Sequence, residues 1–454
     1  MKRAAAAGAA AAPSDLRVLA ETLVNFARKC GADEAEVSVV DGRDFDVDVR
    51  RGRIEHLVEA GSRSCGLRVI KDKRTAYASS SDLAPETLRR LVRNAVRRAE
   101  LASPDACSGL APLAKTSIDP ATLDLFDPAV VSLDSKTKIR LARETERIAL
   151  ADRRITNSYG ANFGTGEIRS VLANSNGFVG EYEQTDCELS VGLQAGGTDD
   201  KVEDSWFSAK RHFRDLATPE EVARKAVQRT VRQLRPRKIG TQNVPVIFEP
   251  TQTSWLMGFL FGCVTGTAVY QKATFLAGKL GERIGNESIT VVDDGLLAGK
   301  LGSRPFDSDG LPSRRTRVVD KGILRNYLCN TYAARKLGLE STGNADGSGV
   351  GPNNFFLEPG KTPPRDIIAG TKKGLLLIRA LGHGLNAVNG DISRGAFGLW
   401  VEDGEIAYPV SEITISGNLG RILKDIEAVG DDLEFFGPVT GPTIKVAEMT
   451  VAGQ

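Results

Sequence analysis

Residues 395–419 read GAFGLWVEDGEIAYPVSEITISGNL. Phe397, Leu399 and Val401 alternate with small or polar neighbours until Glu402-Asp403-Gly404 interrupts them. An extended pattern then resumes at Ile406 and runs through Pro409 to Ile415. Alternation at period two on both sides of a Gly turn predicts two paired strands in a buried sheet. Gly417-Asn418 closes the unit with residues that tolerate positive φ. This chemistry predicts a hairpin and says nothing of function.

Working outward, Arg235-Pro236-Arg237-Lys238 marks a boundary. Beyond it glycines and short extended runs dominate, predicting a β-rich domain of curved sheets over 239–454. Its exception is TQTSWLMGFLFGCVTG, residues 251–266, where Trp255, Leu256, Phe259, Leu260, Cys263 and Val264 recur at helical spacing. That spacing predicts a buried helix.

Before the boundary, a helix–antiparallel meander–helix pattern occurs twice. In 14–101, Ser14 is placed to cap a helix that Gly31 stops. Strand-like pieces follow at 36–40, 45–50, 54–58, 65–71 and 74–79, punctuated by Asp41-Gly42, Arg51-Gly52 and Asp72-Lys73. A second helix begins at Pro85. Residues 102–134, rich in Pro, Ala, Ser and Asp, read as a connector crossing the surface. The pattern returns over 135–238, with Asn176-Gly177 as its clearest hairpin turn. The fold class is therefore α+β.

Composition narrows the function classes. The 454 residues are 41% hydrophobic and 26% charged, with 60 basic against 58 acidic side chains and a net charge of +2. So balanced a chain has no whole-molecule field for nucleic acid or an anionic membrane, and no window is apolar enough to span a bilayer. Cysteines 30, 65, 107, 187, 263 and 329 are scattered without a CxxC pair, which predicts free thiols in the reducing cytoplasm. MKRAAAAGAAAAP, residues 1–13, has too weak an apolar stretch for a signal peptide and reads as a disordered leader.

The residues supply no catalytic constellation. His56, His212 and His383 fall one in each major segment, without ligand spacing. Cys263 lies on an apolar stripe with no histidine or base beside it in sequence, which predicts an inert buried thiol rather than a nucleophile. His383, between Gly382 and Gly384, reads as a structural residue. NADGSGVG at 344–351 lacks the lysine and the strand–loop–helix context of a phosphate loop. Neither a catalytic set nor a metal set is predicted.

Several stretches nevertheless resemble the TldD/PmbA family. RRGRIEHLVEAGSRSCGLRVIKDKRTAYASSSDL (50–83), FLAGKLGERIGNESITVVDDG (275–295), residues 322–327, 341–344 and 351–354, the hairpin at 395–419 and the terminal PTIKVAEMTVAG are similar to family elements in the family's order. The resemblance covers about residues 36–453 and is closest to the PmbA/TldE-like branch. It implies a metalloprotease in which a TldD-type subunit holds zinc through a His-Glu-x-x-x-His helix and a C-terminal cysteine, paired around an enclosed cavity with a PmbA-type subunit that has no metal motif. It also implies roles in degrading or processing unfolded peptides and a historical link to DNA gyrase.

In this chain the stretch matching the metal helix is 251–266, with neither histidine nor carboxylate, and EFFGPVTGP at 434–442 lacks the cysteine. The resemblance thus predicts no cofactor in this chain and zinc in a TldD-type partner. GLNAVNGDISR (384–394) leads into the hairpin, and Asn389, Asp391 and Arg394 are the candidate peptide-binding residues; the same residues also suit a simple surface turn. An alternative function is a homodimeric peptide-binding or scaffold protein without catalysis. A standalone cysteine hydrolase would have to use Cys263.

Overall fold

A computed structural model describes residues 15–197 and 201–453. The leader expected over 1–13 and the cap at Ser14 lie outside the described residues. In chain order the first elements are α1 (Asp15–Lys29), β1 (Glu34–Arg50), β2 (Arg53–Lys71), β3 (Arg74–Ser80), α2 (Pro85–Leu101), α3 (Pro128–Ser132), α4 (Ser135–Leu150), β4 (Ile155–Asn174), β5 (Val179–Ala195), β6 (Val202–Lys210) and α5 (Pro219–Val231). The helix–meander–helix order thus occurs twice, as the periodicity predicts.

The chain divides into two compact units, and β1, β2, β4 and β5 each contribute residues to both. The first unit holds residues 15–42, 62–114 and 168–182. Its strands run in the order β3-β2-β1-β4-β5. Ala20, Leu23, Val24 and Ala27 of α1 and Leu88, Val92, Ala95 and Ala99 of α2 pack with Val37, Val39, Leu67 and Val69 in one core. Asn176-Gly177 makes the expected turn, with Gly177 at φ +95° and its N–H donating to Asn174 O at 3.2 Å.

The second unit holds residues 43–61, 115–167 and 183–453. In its first part β2-β1-β4-β5-β6 are neighbours, and Phe45, Val47, Val49, Phe163, Leu189 and Val191 pack under Leu141 and Ala142 of α4 and Val222, Ala223 and Ala226 of α5. A reciprocal capping box between Thr218 and Glu221 starts α5. The carboxylate of buried Glu146 on α4 accepts from the N–H groups of Arg51 and Gly52, each at 2.8 Å, and so holds the β1–β2 turn.

Two expectations need correction. Asp41-Gly42 does not end a strand: the pieces at 36–40 and 45–50 are one strand, β1, and 54–58 joins 65–71 as β2. Gly42 is absent from the positive-φ residues, so the chain passes through it extended; a turn dipeptide turns only where pairing on both sides ends. Nor is 102–134 a mere surface crossing. Leu123, Leu125 and Val130 are buried in the second unit, Thr185 N–H donates to Leu125 O at 3.0 Å, and Phe213 N–H donates to Asp127 at 2.9 Å.

The rest of this unit starts with β7 (Gln242–Phe248) and α6 (Pro250–Val264). Then come β8 (Val291–Asp294), β9 (Arg315–Asp320), β10 (Ile323–Leu324), β11 (Ala345–Asp346), β12 (Gly349–Val350), β13 (Phe355–Leu357) and β14 (Lys373–Leu381). Last are β15 (Leu385–Asn386), β16 (Asp391–Glu402), β17 (Glu405–Asn418), β18 (Ile426–Val429), β19 (Val439–Thr440) and β20 (Ile444–Ala452). The fingerprint is the hairpin β16–β17, closed by Glu402 opposite Glu405. Asp403 at φ +49° and Gly404 at φ +82° form its two-residue loop, the left-handed pair that matches strand twist.

Both faces of β16 are covered near the turn, whereas β17 buries one face. Trp400, Val410, Ile413 and Ile415 enter the large core around α6, while Leu399 and Val401 join Ile247, Ile367, Leu376 and Ile378 in a second cluster. Pairing does not stop at the hairpin. β14 pairs β16 and β7, β7 pairs β20, and β20 pairs β17, so five strands close in a ring. Closure gives every strand in it a hydrogen-bonded neighbour on both sides.

Candidate functional site

Helix α6 is the element on which chemistry would be sought. Pro250 occupies its first turn, where a missing N–H costs nothing. Gln252, Thr253, Leu256, Met257, Phe259, Leu260, Cys263 and Val264 are buried; on the remaining face Thr251, Ser254, Trp255 and Phe261 are half-buried, and Gly258 and Gly262 are exposed and form an open strip beside Trp255. A side chain added at either glycine would meet nothing within 4 Å.

Over this strip lies Arg394 of β16. Its guanidinium sits 4.5 Å from the centre of the Trp255 ring and its Nε donates to Leu381 O at 3.2 Å. Half-burial lowers its pKa from the ordinary arginine value, yet the aromatic face and the carbonyl keep the cation in place.

Asn389 and Asp391 form a separate cluster with Asn418. Asn389 Nδ2 donates to Asp391 Oδ2 at 2.6 Å, and Asp391 N–H donates back to Asn389 Oδ1 at 3.0 Å. Asn418 Nδ2 donates to Asp391 Oδ1 at 2.9 Å and to Asn389 O at 2.8 Å. Both candidate residues are exposed. The structure therefore joins Asn389 to Asp391 and gives Arg394 to Trp255 instead. Neither partner is near in sequence: strand register sets Asn418 opposite Asp391 in the β16–β17 pair, and the packing of α6 against the sheet brings Trp255 to Arg394.

The residues 434–442 do reach α6. Ser254 Oγ lies 3.4 Å from Thr440 Oγ1, and a side chain at Gly441 would come within 2.6 Å of the Thr253 methyl. What meets there is two hydroxyls and a methyl group.

The remaining candidates are dispersed. His56 and His383 are exposed. His212 is buried, with Nε2 3.1 Å from Asp124 Oδ1 and Nδ1 3.9 Å from Asp215 Oδ2. Cys263 is fully buried, and burial pushes its thiol up to about 11, against a smaller lowering by Thr274. Only the thiolate reacts, so native chain treated with iodoacetamide at pH 8 is expected to leave Cys263 unlabelled, while urea-unfolded chain is labelled there. Peptide mass mapping checks this; full labelling in the folded state would contradict the buried-thiol reading.

With that geometry established, sequence models of three successive domains match: PmbA/TldA metallopeptidase domain 1 over residues 35–99, the central domain over 128–234 and the C-terminal domain over 241–453. The chain is 38% identical over 424 residues to metalloprotease PmbA of Escherichia coli O157:H7, covering 93% of each. The chain belongs to the PmbA/TldD metallopeptidase family.

A PmbA homolog of Haemophilus influenzae is 34% identical over 97% of this chain and 96% of its own length. Among solved structures, a candidate modulator of DNA gyrase from Bacteroides thetaiotaomicron superposes with a TM-score of 0.90 at 27% identity, over 97% of this chain and 100% of that one. TldE from Thermococcus kodakarensis does so at 0.85 and 25%, over 96% and 100%.

Membership raises the question of a metal. Zinc in a hydrolytic site takes about three thiolate, imidazole or carboxylate ligands. On α6 the polar groups are amide and hydroxyl, Cys263 points into the core, and 434–442 brings Thr440. These residues do not fit a zinc ion. Among the described residues, no group of three His, Cys, Asp or Glu side chains is arranged to hold one. No described helix is long and apolar enough to cross a membrane.

Proposed function

We propose that this chain is the non-metal subunit of a cytoplasmic PmbA/TldD-type metalloprotease, which degrades or processes unfolded peptides around zinc carried by a TldD-type partner. The observation that supports it most is α6, whose less buried face, with half-buried Trp255 and exposed Gly258 and Gly262, carries no imidazole, thiol or carboxylate. A shallow strip beside an aromatic ring and a cation suits an extended peptide better than a reacting centre, since stacking and main-chain contacts need no particular sequence.

In this reading Asn389, Asp391 and Arg394 face the peptide from one end of the hairpin. Arg394 presents an aromatic-backed guanidinium, and Asn389-Asp391-Asn418 presents amide and carboxylate groups to a passing main chain.

The test mixes purified chain with a TldD-type chain and follows cleavage of an unfolded peptide. Cleavage is expected with both chains, absent with this chain alone and abolished by chelator. Chelator-resistant cleavage by the lone chain would overturn the proposal. In the mixture, replacing Asn389, Asp391 and Arg394 together by alanine is expected to raise KM about tenfold or more. An unchanged KM would remove those residues from the peptide path.

A further inference from the structure

Away from α6, the second unit contains a cavity of about 550 Å³ lined by residues of β1, β2, α3, β4 and the start of α4. Such a volume lies in the range of small-ligand sites. Its wall includes two cations, Arg43 and Lys138, and the acids Asp44, Glu59, Asp134 and Glu167.

Lys138 is the unusual member. It is only 8% exposed, on the inward face of α4. Its Nζ lies 4.4 Å from the centre of the Phe45 ring and donates to Thr165 Oγ1 at 2.9 Å. An ammonium has three donors and no acceptor, and here the protein accepts from one. Asp134, the acid nearest in sequence, already caps α4 through Thr137 N–H and Oγ1, both at 2.9 Å. No described carboxylate makes an ion pair with Lys138 or Arg43, nor does any described cation with Glu59 or Glu167.

A buried ammonium held by one hydroxyl is costly unless something else meets it. Burial lowers the Lys138 pKa, while Glu59 and Asp134 act in the opposite direction. An anion could satisfy the open donors, but a bare anion would also face Glu59, Glu167 and Asp44. A ligand carrying both signs escapes that repulsion.

We propose that this cavity binds a small zwitterion of the amino-acid or short-peptide class, its carboxylate on Lys138 and its ammonium toward Glu59 and Glu167. This goes beyond the protease reading and concerns the chain without any partner.

The test is calorimetric titration of the full chain with dialanine, N-acetyl-dialanine and dialanine amide. Dialanine is expected to bind saturably with Kd of roughly 1 mM or tighter. Blocking either terminus, or introducing Lys138→Met, is expected to weaken binding about tenfold or more. Glu59→Gln, at an exposed position, is expected to weaken dialanine severalfold while leaving the fold intact, and so serves if Lys138→Met does not fold. No saturable dialanine binding, equal binding of the blocked forms, or wild-type affinity in Glu59→Gln would overturn the proposal. Each of these results leaves the two-chain protease experiment unaffected.

Discussion

Replacing Glu249 with alanine is expected to lower the stability of the chain by about 3–5 kcal/mol, the usual consequence of removing one partner from a buried ion pair. Glu249 precedes α6. Arg232 donates to it through two nitrogens, Nη1 to Oε1 at 2.5 Å and Nη2 to Oε2 at 2.8 Å, and Arg229 Nη1 donates to Oε2 at 3.1 Å. The side chains of Glu249 and Arg229 are only 16% and 8% exposed. Alanine would leave two guanidinium groups enclosed, with Asp204, 3.4 Å from Arg229 Nε, as the remaining counter-charge.

The same carboxylate gives a pH signature. Burial alone would raise its pKa, but Arg232 and Arg229 outweigh that and hold it below the ordinary glutamate value. A carboxylate with a depressed folded pKa stabilises above its unfolded pKa and loses that contribution as pH falls through the folded value. The gap between wild type and Glu249→Ala, read from urea midpoints, is expected to be flat from about pH 6 to 8 and to shrink below about pH 4. A gap under about 1 kcal/mol at neutral pH would mean that these arginines find other partners.

Asp293→Asn is expected to cost about 2–4 kcal/mol, because each buried donor left unmatched costs about 1–3. Asp293, fully buried on β8, accepts from Asn344 Nδ2 at 2.7 Å, Asn353 Nδ2 at 2.9 Å and Asn353 N–H at 2.9 Å. Three donors converge on it, so an amide group in its place must aim a donor at a donor.

Here the pH dependence has the opposite sense. Burial, only partly offset by those hydrogen bonds, raises the Asp293 pKa to about 6, against about 4 when unfolded. The native state therefore holds more protons across that window, and stability from this group falls as pH rises through it. The advantage of wild type over Asp293→Asn is expected to be roughly 1 kcal/mol larger at pH 5 than at pH 8. The neighbouring Asp307, pushed up to about 7 by burial and by Asp309, titrates in both proteins and cancels in the difference. A wild-type advantage that grows from pH 5 to pH 8 would refute the assignment.

Local pattern accounts for much of this protein. Period two with Asp403-Gly404 located the hairpin, helical spacing located α2 and α6, and the missing histidines of 251–266 could be read directly, because each is a property of neighbours in the chain. The polar core was less legible: VVDDG at 291–295 carries acids on an apolar strand, a signal of buried charge, but its amide partners lie some fifty residues or more away. Only tertiary structure closed β7, β14, β16, β17 and β20 into a ring, gave Arg394 to Trp255 while tying Asp391 to Asn418, and left Lys138 lining a cavity. The reason is physical. Sequence periodicity says which face of an element is buried, whereas strand register and chain topology decide which distant face covers it.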